Sequence, residues 1–271
     1  MCAPAAAIGG SATGRLLALK LILVPTLIGA VSLAGRRWGP AVSGWLVGLP
    51  LTSGPVSIFL TFEQGEAFAA RAAQGTLMGL ISLSAFCLVY CWLSRRVGWP
   101  SSTLGGWGAY SAITVVFDRI ALQPVVSFVA VVGFIALALK LLPPSRHPGT
   151  RLNPPRWEIA VRMVAATALV VALTGFANLL GPQLSGLLAP FPVYATVLAI
   201  FTHAYQGSSA ATELLRGVVM GSFSFAIFFL IVAGLVEQWG PVAAFGLATL
   251  AALLMHGYLL RFLKEAGPAG S

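Results

Sequence analysis

Charge is what this 271-residue chain has least of. Only 8% of its residues are Asp, Glu, Lys or Arg, against about 25% in a soluble domain, whereas 58% are hydrophobic. So few charged groups cannot cover the surface of a soluble protein of this size. The composition therefore excludes a soluble enzyme, a disordered chain and a nucleic-acid binder. It predicts an all-α polytopic bundle of transmembrane helices in contact with membrane lipids.

Residues that carry chemistry are also scarce. The chain has three Cys and three His, and Asp118 is its only aspartate. No C-x-x-C pair, no Cys/His cluster and no nucleotide-binding P-loop occurs in the sequence. We therefore predict no catalytic residues, no metal and no cofactor, and the chain is not expected to be an enzyme. A membrane enzyme acting on lipid or prenyl substrates is the least favoured alternative, because it needs a cluster of acids, bases or metal ligands.

Apolar runs long enough to cross a membrane recur along the chain. A helix needs about 20 apolar residues to span the hydrocarbon core. Nine spans are predicted, at 15–35, 40–62, 69–93, 100–117, 121–142, 157–179, 184–204, 210–234 and 241–262. A re-entrant segment is the alternative for the fourth, because residues 101–108 are polar and rich in Gly. A Pro-rich loop at 143–156 divides the chain in two.

The basic residues are unequally divided between the two sides that nine spans define. The positive-inside rule makes the richer side cytoplasmic, so we predict the N-terminus outside and the C-terminus in the cytoplasm. That side carries Arg36, Arg37, Arg95, Arg96, Lys140, Arg146, Arg151, Arg156, Arg162, Arg216, Arg261 and Lys264. The other side carries Arg15, Lys20, Arg71 and Arg119. Short loops and an Ala-, Gly- and Arg-rich composition suggest a bacterial inner membrane.

The chain repeats itself at a spacing of 142 residues. The motif Gly39-Pro40-x-x-Ser43-Gly44 recurs as Gly181-Pro182-x-x-Ser185-Gly186, and the same register continues without a gap as far as Phe86 and Phe228. Random similarity between two apolar segments would not keep one register over this length. We infer a duplication.

The duplication predicts two four-helix repeats of opposite topology. Residues 1–120 form the first repeat with spans one to four, and residues 157–271 form the second with spans six to nine. Residues 121–156 supply a linker helix and the Pro-rich cytoplasmic loop. Because an odd number of spans separates equivalent helices, the two repeats are expected to be inverted relative to each other, as in many secondary transporters.

Equivalent glycine pairs mark the third and eighth predicted spans. Gly75 and Gly79 correspond to Gly217 and Gly221, and a G-x-x-x-G face allows two helices to approach closely. We expect spans three and eight to meet there, either as static packing or as a seam along which the halves slide.

Proline interrupts the second and seventh predicted spans at equivalent places. Pro50 and Pro192 each remove a backbone donor, and the carbonyls that lose a partner must be buried in protein or line a polar cavity. Broken helices at matching positions of two inverted halves indicate a substrate site, with simple kinked packing as the alternative. The substrate-binding candidates around the breaks are Pro50, Thr52, Ser53, Ser57, Pro192, Tyr194 and Thr196.

Ionisable residues inside the predicted spans are few, and each is a functional candidate. Lys20 and Arg162 are equivalent and could attract an anionic substrate, although both could also extend to the nearest headgroups. Glu63, Glu213 and His203 are candidates for proton or ion coupling. The alternatives are local ion pairs, Lys20 with Glu63 and Arg162 with Glu213, and an interfacial role for His203.

These features favour a secondary transporter or permease that works by alternating access between the repeats. Its substrate is expected to be a small solute or ion, with an anion slightly favoured by the matched basic residues. The main alternative is a non-catalytic membrane subunit of a larger complex. A homodimer or an external subunit is compatible with either interpretation, and no nucleic-acid partner is expected.

Overall fold

The computed structural model describes residues 9–50, 53–118, 123–144, 155, 157–180 and 191–265. Side chains are described within these ranges except at 9–20, 56, 60, 63, 118, 173–180 and 262–265. Every regular element in the described part is a helix, so the all-α prediction is confirmed. Thr52, one of the predicted binding residues, lies outside the described residues.

Eight helical runs make up the described part of the chain. They are α1 (Gly9–Trp38), α2 (Pro40–Val47), α3 (Ser53–Gln64), α4 (Glu66–Leu93), α5 (Trp99–Asp118), α6 (Pro124–Leu141), α7 (Trp157–Leu180) and α8 (Val193–Glu265). Non-helical backbone at Gly207 and Gly240 divides α8 into three segments. We call them α8a (193–206), α8b (208–239) and α8c (241–265).

Glycines with positive φ join several of these helices without a loop. Gly39, Gly65, Gly207 and Gly240 have φ of 99°, 85°, 87° and 75°. Residues with a Cβ rarely adopt this conformation, so glycine allows the chain to kink between two helices at a single residue. Pro40 starts α2 directly after Gly39, which is a favourable place for a residue without an N–H.

The second predicted span is divided at Pro50. Helix α2 ends at Val47, and α3 begins at Ser53 after a short non-helical stretch. In the second copy, α8a begins at Val193, directly after Pro192. The fourth predicted span is α5, a continuous helix of 20 residues.

The outer surface of the bundle is apolar. Four described helices are long and apolar enough to cross a membrane: Leu21–Trp38, Glu66–Leu93, Pro124–Leu141 and Val193–Arg261. Of these windows, Glu66–Leu93 is 67% buried and forms the centre of the bundle, whereas Pro124–Leu141 is only 22% buried. An apolar helix with so little burial would be costly to leave in water, and it is suited to lipid contact.

Helix α1 packs antiparallel to α7. Gly29 lies against the Met163 side chain, and Arg36, further along α1, contacts Glu158, which is nearer the start of α7. Helix α2 runs in the same direction as α8b, since Ala41 lies against Gly217 and Gly48 lies against Gly221.

The glycine pair of α8b therefore contacts a different helix from the one predicted. Gly217 and Gly221 face the backbone of α2, which approaches so closely that neither glycine has room for a Cβ. Gly75, the equivalent of Gly217, has no atom within 4 Å of its Cβ position. Gly217 and Gly221 therefore do not supply the expected contact with the third span, because the short helix α2 fills their face of α8b. Helices α4 and α8b meet elsewhere, where Thr212 lies beside Cys91.

Candidate functional site

A buried cluster of charged residues lies where the end of α1 meets the beginning of α7. Glu158 is 1% exposed and Arg162 is 5% exposed. The Nε of Arg162 donates to Glu158 Oε1 at 2.9 Å, and its Nη2 donates to the same oxygen. Arg36 donates from Nη2 to Glu158 Oε2 at 3.1 Å. One carboxylate is thus shared by two guanidinium groups.

Helix geometry places these three side chains together. Glu158 and Arg162 are four residues apart in α7, so they lie on the same helix face one turn from each other. A carboxylate in the first turn of α7 and guanidinium groups in the last turn of α1 also complement the dipoles of the two helices. Arg36 is held further by the Pro155 carbonyl, to which its Nη2 donates at 2.7 Å.

A narrow polar cleft opens beside the charged cluster. Its lining consists of Ser32, Gly35, Arg36, Pro40, Ser43, Glu158, Arg162, Thr202, Gln206 and Leu214. The cavity of about 20 Å³ has room for about one or two water molecules. The lining residues come from α1, α2, α7, α8a and α8b. The shape of the cleft is therefore set by how these helices pack together.

The predicted binding residues of the first copy lie around the break between α2 and α3. Pro50 and Ser57 are half-buried. Ser53 starts α3, and its buried hydroxyl has no hydrogen-bond partner among the described residues. The break lies close to α8b, since Gly48 lies against Gly221 and Gly54 lies against the Phe228 ring.

The second-copy break contacts α5 through Thr196 and Phe191. Thr196 is buried, and its hydroxyl accepts a hydrogen bond from Trp107 Nε1 at 3.1 Å. Phe191 packs edge-on against the Trp107 and Tyr110 rings. Pro192 is buried and Tyr194 is half-buried in the same region. The two breaks therefore face different helices, α8b for the first and α5 for the second.

The predicted charged residues have separate surroundings. The side chains of Lys20 and Glu63 lie outside the described residues. Arg162 is paired with Glu158, and its guanidinium lies over the Phe201 ring, 5.5 Å from the ring centroid. Glu213 is half-buried on α8b.

His203, the third coupling candidate, is half-buried on α8a. Its Nδ1 is hydrogen-bonded to the Tyr90 hydroxyl of α4 at 3.2 Å. This bond gives His203 a partner within the bundle.

A second buried cluster surrounds His256 on α8c, a residue that none of the sequence motifs singles out. The His256 ring stacks on the Trp45 ring of α2 with centroids 3.7 Å apart. Its Nδ1 is hydrogen-bonded to the Ser224 hydroxyl at 3.1 Å. The Nε atoms of His256 and Trp45 are buried and have no hydrogen-bond partner in the described part of the chain.

The repeat register could have identified this cluster. Positions 224 and 256 are the equivalents of Ser82 and Thr114 at the 142-residue spacing, and the hydroxyls of Ser82 and Thr114 are themselves hydrogen-bonded at 2.8 Å. The signal is weak because Thr114 and His256 are different residue types, and identical residues alone do not reveal that the two positions are equivalent. Across the described residues, no group of three or more His, Cys, Asp or Glu side chains could hold a metal ion.

The chain was compared with known proteins at three levels. No family model, no curated protein and no solved structure matches it.

Proposed function

We propose that the chain is an integral membrane carrier of a small solute, built from two inverted four-span repeats that expose one site alternately to each side of the membrane. The observation that carries the proposal is that the hydrogen bonds Ser82–Thr114 and Ser224–His256 join equivalent positions in the two halves. Its broader support comes from the apolar outer surface and from helices long enough to cross a membrane.

Two pairs of equivalent features support the duplication. The Ser82–Thr114 bond joins α4 to α5, and the Ser224–His256 bond joins α8b to α8c at the same register. Gly65 and Gly207 kink the chain with nearly the same backbone angles, φ 85° and ψ 169° against φ 87° and ψ 173°. Such agreement is expected if both halves derive from one ancestral fold.

Helix directions support the inversion. Helices α1 and α7 are the first spans of the two repeats, and they pack antiparallel. Helix α2 packs parallel to α8b, the third span of the other repeat. If the second and third spans of one repeat run in opposite directions, a parallel contact of this kind is the one expected between inverted repeats. The proposal has nine spans, with the N-terminus outside and the C-terminus in the cytoplasm of a bacterial inner membrane.

The broken helices supply the proposed binding region. Non-helical backbone inside a membrane must be surrounded by protein or must line a cavity, and discontinuous helices of inverted repeats commonly form the substrate site. Here the break at Pro50 adjoins α8b and the break at Pro192 adjoins α5. Ser53, with its unpartnered hydroxyl, and Thr196 are the best-placed polar groups beside these breaks.

The Arg36–Glu158 ion pair is the proposed closure of the cytoplasmic side. It connects α1 of the first repeat to α7 of the second, so movement of the halves away from each other on this side must break it. The positions equivalent to this pair are Asn178 and Leu16, which cannot form an ion pair. The two sides of the carrier are thus closed by different contacts.

Accessibility from the two sides of the membrane tests alternating access without knowledge of the solute. In a variant lacking Cys2, Cys87 and Cys91, single cysteines replace Ser53 or Thr196 and are labelled with a membrane-impermeant maleimide in right-side-out and inside-out vesicles. We expect labelling from both sides. Cross-linking an added Arg36→Cys/Glu158→Cys pair should abolish labelling from the cytoplasmic side and preserve it from the outside.

The matched control cross-links Ser82→Cys to Thr114→Cys, a contact of similar closeness within one repeat. This cross-link should leave labelling from both sides unchanged, because it does not join the halves. Cytoplasmic labelling that survives the Arg36→Cys/Glu158→Cys cross-link would contradict the proposed carrier mechanism.

A further inference from the structure

We propose that the cleft between α1 and α7 binds a small monoanion and that this anion is the solute of the carrier. The cleft is then a second position of the solute, at the cytoplasmic closure, beside the binding region at the broken helices. The assignment rests on the proposed carrier function, and it names both the chemical class of the solute and the residues that recognise it. These residues are Arg36 and Arg162, with Ser32 and Gln206 beside them in the same cleft.

The charges lining the cleft do not balance. Among the described residues of the lining, Arg36 and Arg162 are the cations and Glu158 is the one carboxylate, which leaves a surplus of one positive charge. Glu158 is 1% exposed and already accepts from both guanidinium groups, one at each oxygen. A charge away from water is costly unless an opposite charge accompanies it, so the cleft favours a second anion.

The two guanidinium groups retain donors for such an anion. Each carries five N–H groups in a planar fork. Within the described residues, Arg162 uses two of them on Glu158, and Arg36 uses two on Glu158 and the Pro155 carbonyl. The remaining N–H groups can donate to a carboxylate or to a halide, and bonds from a charged donor to a charged acceptor are the strongest in proteins.

The Ser32 hydroxyl points independently to a ligand. Ser32 is 4% exposed and lines the cleft, yet its Oγ has no hydrogen-bond partner among the described residues. A buried hydroxyl without a partner carries a free-energy penalty, which an anion accepting from it would remove. The cavity of about 20 Å³ limits the ligand to a small ion such as chloride, nitrate or formate.

Both repeats build this cleft. Ser32 and Arg36 belong to the first, whereas Glu158, Arg162 and Gln206 belong to the second. Gln206 also directly precedes the kink at Gly207. Separation of the halves would therefore dismantle the anion site and release the ion on the cytoplasmic side, which connects the binding site to the proposed motion.

Calorimetric titration of the full chain in phosphatidylcholine nanodiscs tests the site. The probes are sodium chloride, nitrate and formate, at an ionic strength held constant with gluconate, which is too large for the cavity. We expect saturable binding of at least one probe. Arg162→Gln and Arg36→Gln should each weaken it by about tenfold or more, and Ser32→Ala by about threefold to tenfold.

Two further variants separate an anion site from a structural ion pair. Glu158→Gln should strengthen anion binding by about tenfold, because the bound ion becomes the only counter-charge for both guanidinium groups. Arg37→Gln removes an exposed positive charge next to Arg36 and should leave the affinity unchanged. If Arg162→Gln does not fold, Arg162→Lys and Arg36→Gln replace it in the binding test. Arg36→Gln is the safer variant for folding, because the Arg36 side chain is 27% exposed.

A lipid headgroup is the other source of an anionic group at this end of the bundle. Nanodiscs containing phosphatidylglycerol distinguish it: stabilisation by this lipid in the wild type but not in Arg36→Gln, without binding of any soluble probe, would overturn the solute assignment. Absence of saturable binding, weaker binding in Glu158→Gln, or equal effects of Arg36→Gln and Arg37→Gln would overturn it as well. Maleimide labelling needs no anion, so failure here leaves the carrier proposal separately testable.

Discussion

The sequence predicts that Arg162 needs a partner, but only the structure identifies that partner. Its place inside a predicted span, equivalent to Lys20, identifies it in the sequence as a residue that needs a partner. The partner in the structure is Glu158, one turn away, and not the predicted Glu213. A Glu at the start of a helix is so common that its sequence position gives no sign of burial.

Glu158→Gln should destabilise the protein when no anion is present. The substitution leaves the buried Arg162 and the partly buried Arg36 without a counter-charge, and removal of one partner of a buried pair costs about 3–5 kcal/mol. Thermal unfolding in nanodiscs measures the loss. Formate or chloride should restore part of it if the cleft binds them.

Glu237→Gln is the control for this stability change. Glu237 is exposed on α8b, so its substitution should shift the unfolding temperature little. A Glu158→Gln protein as stable as Glu237→Gln would show that the shared carboxylate contributes nothing to the fold.

At the level of helices, equivalent sequence positions do not guarantee equivalent packing. Gly75 and Gly217 occupy the same place in the two repeats, but only Gly217 faces α2 without space for a side chain. The G-x-x-x-G pattern predicts a close helix contact correctly for α8b. It does not identify the partner, because any segment with small residues, such as α2 with Gly44 and the following Gly48, can fill that face.

Gly217→Ala should be clearly more destabilising than Gly75→Ala. The new Cβ at 217 would overlap the Ala41 carbonyl oxygen and force α2 away from α8b, at a cost of about 1–3 kcal/mol or more. The new Cβ at 75 meets no atom and improves helix propensity, so Gly75→Ala should be neutral or slightly stabilising.

The measurement is the unfolding temperature of the two variants in the same detergent. Equal unfolding temperatures would contradict the close contact between α2 and α8b.

For the whole molecule, the proposed nine-span topology predicts that the loop at 143–156 is cytoplasmic. Single cysteines introduced at Ser145 and at Thr150, in a chain without its native cysteines, should react with an impermeant maleimide in inside-out vesicles. They should be protected in intact cells until the membrane is permeabilised. Labelling in intact cells would reverse the proposed orientation and place the Arg36–Glu158 pair on the outer side.

The control for orientation is a cysteine at Gln123, at the other end of α6. Helix α6 is 18 residues long and apolar, so its two ends should lie on opposite sides of the membrane. Gln123 is exposed and should react from the outside. If the cysteine at 123 reacted from the same side as the cysteines at 145 and 150, α6 would be excluded as a span.

Much of the architecture follows from the order of residues alone. Low charge and long apolar runs give a helical bundle suited to lipid, since the transfer free energy of each apolar residue adds to the next along a run. The 142-residue register gives the equivalence of Gly65 with Gly207 and of Ser82 with Ser224. These properties depend on local solvation, backbone conformation and sequence spacing.

The docking of the helices decides the rest. Arg36 and Glu158 are 122 residues apart in the chain. Trp45 and His256, whose rings stack, are 211 residues apart. Neither contact can be predicted from the residues around it in the sequence. Each forms only when two separate helices bring the side chains within a few ångströms of each other. The charged cleft is consequently a property of tertiary packing, whereas the apolar helices and their duplication are properties of the sequence.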